Sequence, residues 1–280
     1  MKLNKIITFS GIGLHSGKKT FVSIIPKKNG SGISFIRNGI ETSAIAKNVT
    51  NTHMATTIGS GKGSISTIEH FMAACSLCKI TDIQVSVSSE EFPIMDGSAI
   101  EFVKMFLDNC DDEDEPTRPQ LKLKLLKKVS IKTESSSISA IPSDKAIFIT
   151  KNKVRYIGVV RSLVCLDTSQ SLERILSSRT FGFFEDFEHL KSKGLAQGAS
   201  LKNVLVLDGS GRLKNPFGYR NHEELANHKL LDMIGDFALL GFPRFEAAIS
   251  SINGGHSLNN QLARKILSDK SNYQIINSNS

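Results

Sequence analysis

Apolar residues recur at Ile68, Phe71, Met72, Cys75 and Cys78. This is the spacing of one helix face, and it predicts a helix over 67–78 with Thr67 as its N-cap. A second helix is expected after "MDGSA", at 98–108. The alternating or β-branched stretches "FVSII" (21–25) and "DIQVSVS" (82–88) predict strands on either side of the first helix. The same order recurs downstream: strands near 121–132, 146–149 and 154–165, a helix near 170–177 and a long helix over 222–240. A last strand, "FEAAISS" (245–251), and a helix at 257–268 complete the series. Two halves, each with a sheet and a pair of helices, predict an α+β protein built from a duplicated unit. Between them, "DDEDEPTRP" (111–119) joins like charges to two prolines, which disfavour helix and central strand, so it reads as an exposed linker. The domain boundary is drawn there, giving domains at 1–115 and 120–280.

Composition narrows the class. The chain has 280 residues, 40% hydrophobic and 22% charged, without an uncharged apolar run long enough to span a bilayer. The N-terminus "MKLNKIITFSGIGLHSG" lacks the long apolar region of an export signal. Four irregularly spaced cysteines (Cys75, Cys78, Cys110, Cys165) suggest no disulfide framework, so a reducing cytoplasm is expected. The net charge of +8 suits an anionic partner or simply a lysine-rich solvated surface. Without Trp, with three Tyr and with no basic stretch interleaved with aromatics, no nucleic-acid partner is expected. "GIGLHSGKKT" and "GSGKGS" (59–64) miss the spacing of a phosphate-binding P-loop and read as turns. Cys75 and Cys78 lack a second pair to complete a zinc knuckle and read as buried thiols.

The chemistry concentrates in "NHKLLDMIGD" (227–236), where His228, Asp232 and Asp236 stand at intervals of four. On a helix they form one column, either a solvated polar edge or a metal site. A lone helical histidine is more often structural, and His15, His53, His189 and His222 are left with that reading. His228 with Asp232 differs, because an i, i+4 pair offers two ligands from one helix. His70 is a candidate third ligand, and Glu69 beside it then has the position of a general base. The residues alone lead to a metal-assisted hydrolase.

Seven ordered blocks, "GIGLHSG", "STIEHFMAA", "EEFPIMDGSAIEFV", "RTFGF", "GLAQGASLKNVLVLD", "NHKLLDMIGD" and "GGHSLNN", carry a resemblance over residues 6–268. They resemble the UDP-3-O-acyl-N-acetylglucosamine deacetylases, the zinc amidases that commit Gram-negative bacteria to lipid A synthesis. The resemblance implies two similar β-α-α-β domains with their helices sandwiched between the sheets, each carrying a small insert. The second insert falls near 182–214 and implies an apolar passage for the acyl chain, with Phe183, Phe184, Leu190 and Leu195 among its residues. The resemblance further implies His70, His228 and Asp232 as ligands of Zn2+, with Glu69 as general base. His256 becomes a cationic general acid oriented by Asp236, and Thr180 a hydroxyl that helps bind the oxyanion. Lys229, Lys145, Phe183 and Gly198 become substrate contacts, Lys145 at the diphosphate. A cytoplasmic monomer is implied, acting on UDP-3-O-acyl-N-acetylglucosamine and leaving room for transient contact with the inner membrane surface. The chain departs from the family pattern at Asn227 and Asn253, where basic residues are frequent, and at "CLDTSQS" (165–171), which replaces an F-x-H-P element. Two alternatives stand beside this reading: a zinc amidase for another acylated amine, and a non-enzymatic basic binding module.

Overall fold

A computed structural model of the chain describes residues 3–110, 121–167 and 172–277. The acidic run at 111–115 and the linker read at 111–119, hence the domain boundary, lie outside the described residues, as do the last four residues of "CLDTSQS". The first half contains strands β1 (Ile7–Ile12), β2 (Lys19–Pro26), β3 (Ile33–Arg37) and β4 (Ile40–Ser43). The short pair β5 (Val49–Asn51) and β6 (Thr57–Ile58) comes next, then helix α1 (Glu69–Leu77), β7 (Ile83–Val87) and α2 (Ile100–Leu107). The second half contains β8 (Leu121–Leu125), β9 (Val129–Lys132), β10 (Ser137–Ile141), β11 (Ala146–Val154) and β12 (Gly158–Cys165). It continues through α3 (Leu172–Leu176), β13 (Phe181–Phe183), α4 (Phe187–Ser192), β14 (Leu205–Leu207) and α5 (Glu224–Ala238). It ends with β15 (Arg244–Ile252), α6 (His256–Leu267) and β16 (Tyr273–Asn277).

The fold is mixed α+β. The first sheet has the order β1-β2-β7-β3-β4, and the main path of the second runs β9-β10-β15-β11-β12. In each, the strand that follows the long central helix lies in the middle, parallel to one neighbour (β3 or β11) and antiparallel to the other (β2 or β10). The second sheet is extended by β8 and β16, so "FEAAISS" is not the last strand. The region predicted as one strand over 121–132 is two, β8 and β9, which pair with different neighbours. The α1 helix starts at Glu69 rather than Thr67, whose φ of +60° is non-helical and whose hydroxyl donates to the buried Glu91 carboxylate at 3.1 Å. The hydroxyl turns toward this tertiary partner, and Ile68, with no side-chain cap, stands at the N-cap instead.

Helices α1 and α2 cover the first sheet through aromatic contacts such as Phe35–Phe71 and Phe9–Phe102. The second sheet is covered by α5 and α6, and α1 runs against α5. One continuous apolar core joins these layers, from Phe35 and Phe71 to Leu231 and Ile249. Gly235 sets the closest approach of α1 and α5: a Cβ there would lie 2.0 Å from the Glu69 carbonyl oxygen. No side chain fits at that distance, so glycine in mid-helix, ordinarily unfavourable by ~1 kcal/mol, is required by packing. Gly235→Ala should therefore push α1 away from α5 and destabilise the fold by about 1–3 kcal/mol, which thermal unfolding checks.

Candidate active site

The polar column of α5 is buried, with His228 2%, Asp232 4% and Asp236 1% exposed, so it is not a solvated edge. The first turn of α1 brings Glu69 and His70 to the same place. One ligand atom each from His70, His228 and Asp232 lie within 4.8 Å of one another. Both imidazole Nε2 atoms face Asp232 Oδ1, at 3.4 Å from His70 and 3.3 Å from His228. His228 Nδ1 lies 3.1 Å from the Ser178 carbonyl, which assigns the proton to Nδ1 and leaves the Nε2 lone pair facing the cluster. Burial, outweighing the Asp232 charge, lowers the His228 pKa to about 3, so the ring is neutral as a ligand must be. Burial also opposes the Asp232 charge, but His228, Lys229 and the His70 hydrogen bond hold its pKa well below the ordinary value. Two imidazole nitrogens and a carboxylate oxygen, buried with one side open to a cavity, fit a catalytic divalent cation of zinc's preference.

Glu69 and His256 adjoin this cluster. Burial raises the Glu69 pKa against the opposing charges of His256 and His70. His256 opens α6, with Nε2 3.8 Å from Glu69 Oε1 and Nδ1 2.9 Å from Asp236 Oδ2. Burial alone would lower the His256 pKa, but the Asp236 and Glu69 charges push it up to about 10. Asp236 also accepts from Asn259 Nδ2 at 2.8 Å and from the Thr56 hydroxyl at 2.5 Å. Thr180 is fixed by its backbone, its N–H donating to the Gly97 carbonyl at 2.7 Å. Its neighbour Arg179 forms a buried ion pair with Glu224 at the start of α5, Nε to Oε1 2.8 Å.

Glu69, His70, Thr180, His228, Asp232 and His256 line a cavity of about 430 Å³, whose outer part is apolar: Phe181, Phe183, Phe184, Phe187, Leu190 and Val204. Leu195 is not among its lining residues. Gly198 is not among its lining residues either, although Ala196 and Ala199 are. A Cβ on Gly198 would lie 2.2 Å from the Gly13 carbonyl oxygen, so glycine lets this segment touch the "GIGLHSG" turn. That turn brings His15 to the cavity, with both ring nitrogens buried and without a well-formed hydrogen bond. Its isolation in sequence gave no signal of this placement.

Lys145 is not brought to this cavity. It lines a separate one of about 540 Å³ with Ser76, Lys79, Ala238 and Arg244, at the opposite end of the α1–α5 pair. Lys229 does line the first cavity, its Nζ 3.0 Å from Asp232 Oδ2. An adjoining open cavity of about 510 Å³ shares Phe181, Phe183 and Lys229 and adds Lys153, Arg155 and Asn253. Arg155 lies over the Phe183 ring at 4.2 Å and pairs with Asp186. Sequence reading overlooked Lys153 and Arg155 because charged residues on a strand ordinarily mark its solvent face. Asn253 there is structural, its Oδ1 accepting from Lys153 N at 2.8 Å, and Asn227 is buried, accepting from the Ser162 hydroxyl.

Residues 1–268 match the family model described as UDP-3-O-acyl N-acetylglycosamine deacetylase. The chain belongs to this family. It is 39% identical to a UDP-3-O-acyl-N-acetylglucosamine deacetylase of Helicobacter hepaticus over 271 residues, covering 95% of this chain and 89% of that protein. A protein of the same name from Syntrophotalea carbinolica is 36% identical over 282 residues, with 99% and 90% covered. One from Campylobacter fetus is 37% identical over 278 residues, with 98% and 93% covered.

The charge environment makes a prediction that needs no substrate. Asp236→Asn removes a negative charge that favours the imidazolium, so the His256 pKa should fall from about 10 toward the ordinary 6.5. NMR titration of the ring protons in chelator-treated protein measures this. An unchanged titration would assign the raised value to Glu69 instead.

Proposed function

We propose that this protein is a zinc-dependent amidase. It hydrolyses the N-acetyl group of UDP-3-O-acyl-N-acetylglucosamine, releasing acetate and UDP-3-O-acyl-glucosamine in the committed step of lipid A biosynthesis. The observation that carries this reading is the convergence of His70, His228, Asp232, Glu69 and His256 at the inner end of a largely apolar cavity, in a chain of this family. The architecture fits the reading: two β-α-α-β domains from a duplicated unit, helices sandwiched between the sheets, are supported by the matching strand order of the two halves. The inserts are then the segment carrying β5 and β6 and the segment at 182–214.

His70, His228 and Asp232 would hold the zinc ion. When bound, the ion supplies Lewis acidity, drawing charge from the attacking water and the acetyl carbonyl. Glu69, its pKa raised by burial, accepts the proton of that water. The Thr180 hydroxyl lies on the cavity wall and donates to the oxygen on which negative charge develops. Protonated His256 delivers a proton to the departing amine, and Asp236 keeps the ring turned and charged throughout. The apolar walls formed by Phe183, Phe184 and Leu190 take the acyl chain and exclude water. Lys229 contacts the sugar nucleotide, while Lys153 and Arg155 replace Lys145 as the side chains for the diphosphate. The reading carries with it a cytoplasmic monomer that makes transient contact with the inner membrane surface to reach its acylated substrate.

The decisive experiment is acetate release from UDP-3-O-acyl-N-acetylglucosamine. A strong chelator should abolish it and one equivalent of zinc restore it, and full turnover by metal-free protein would overturn the metal assignment. Turnover of other acylated amines but not of the UDP-sugar would favour a different amidase.

The two basic clusters are separable by steady-state kinetics. Lys145→Ala should leave KM within about twofold, whereas Lys153→Ala with Arg155→Ala should raise KM by at least about tenfold, the loss expected from one or two charge-assisted contacts. A rise in KM from Lys145→Ala alone would return the diphosphate to that residue.

A further inference from the structure

Thr56 precedes β6 in a segment that the sequence gives no reason to single out. It is 1% exposed, and each of its polar groups is engaged. Its N–H donates to Glu69 Oε2 at 2.9 Å, its hydroxyl donates to Asp236 Oδ1 at 2.5 Å, and its carbonyl accepts from Ile68 N–H at 3.4 Å. The two carboxylates belong to different helices, α1 and α5. Their other oxygens both face His256: Glu69 Oε1 stands 3.8 Å from Nε2, and Asp236 Oδ2 accepts from Nδ1 at 2.9 Å. Thr56 therefore grips, from behind, the two carboxylates that flank opposite nitrogens of one imidazole.

We propose that Thr56 is a positioning residue for the deacetylation, fixing Glu69 and Asp236 relative to each other so that His256 is aimed before substrate arrives. The inference rests on the amidase reading above. A carboxylate anchored at one oxygen cannot rotate that oxygen toward the imidazole, so each group presents a single assigned oxygen to His256. Among the described residues, Thr56 is the hydrogen-bond partner of Asp236 Oδ1, while Oδ2 is shared by His256 and Asn259. Without the hydroxyl, a buried charged oxygen lacks a donor and competes for those of its sibling. The β-branched side chain restricts χ1, which fixes the direction of the hydroxyl.

The test compares Thr56→Val, which keeps the shape and the backbone N–H, with Thr56→Ser, which keeps the donor. On the zinc-loaded enzyme, Thr56→Val should lower kcat by about 10- to 100-fold, the scale of a misplaced catalytic group. Bound zinc and KM should stay within about twofold, and Thr56→Ser should recover most of the rate. In a His256→Ala background the valine substitution should cost less than about threefold, because the group it aims is gone. In chelated protein, Thr56→Val should speed exchange of the His256 Nδ1 proton, read by NMR. Should Thr56→Val fail to fold, Thr56→Cys takes its place, with similar shape and only a weak S–H donor. Wild-type kcat in the valine variant, a loss confined to KM or zinc content, or an undiminished loss without His256 would overturn the proposal. Inactivity of the wild-type protein toward the acylated UDP-sugar would instead overturn the amidase reading.

Discussion

The candidate site depends on the close packing of α1 against α5. Where Gly235 meets the Glu69 carbonyl, the two helices touch without an intervening side chain. That contact brings His70 within 3.4 Å of Asp232 although the residues come from opposite halves of the chain. Because glycine removes the side chain at this one point, a separation set by apolar packing elsewhere becomes short enough for two helices to share one ion. The same contact fixes the backbone of Glu69, so the cluster and its neighbouring carboxylate are positioned together.

Around this contact, polar groups survive burial because each has an assigned partner. Asp236 accepts three hydrogen bonds, Glu224 holds Arg179, and Glu91 accepts from His15 N at 2.8 Å and Ser16 N at 2.6 Å. These carboxylates hold together segments that lie far apart in sequence: the "GIGLHSG" turn, the loop before β6, the "RTF" segment and the start of α6. Among the described residues, buried His70 Nδ1, the two ring nitrogens of His15 and Arg37 Nε are without a well-formed hydrogen bond, and the three histidine nitrogens belong to residues lining the cavity beside the cluster. An unmet hydrogen-bonding group costs least where a ligand is to arrive.

Much of this was legible in the sequence, for reasons that differ from element to element. Helices α1, α2, α5 and α6 were readable because their apolar faces repeat at helical period over two turns or more. Strands β1, β3, β4 and β10 were not, because short or half-exposed strands lack a clear alternation and acquire their identity from their neighbours. The i, i+4 spacing of His228 and Asp232 put two groups on one helical turn whatever the rest of the chain did. By contrast, Lys145 and Arg155 cannot be ranked by sequence, since both are basic residues at the ends of β11 and only the direction of the strand decides which end meets the cavity.

The sequence by itself determined the helical column, the residue types able to bind a cation, the family and the helices α1, α2, α5 and α6, because these depend on spacing along one chain. Tertiary structure alone decided that the column is buried, that α1 completes it, that His15 and Thr56 reach the same centre and that Lys145 does not. Thr56 and Asp236 are separated by 180 residues, yet their oxygens are 2.5 Å apart. No local periodicity encodes such a distance. It follows from two sheets packing their helices around a common core and from glycine at the point where those helices meet.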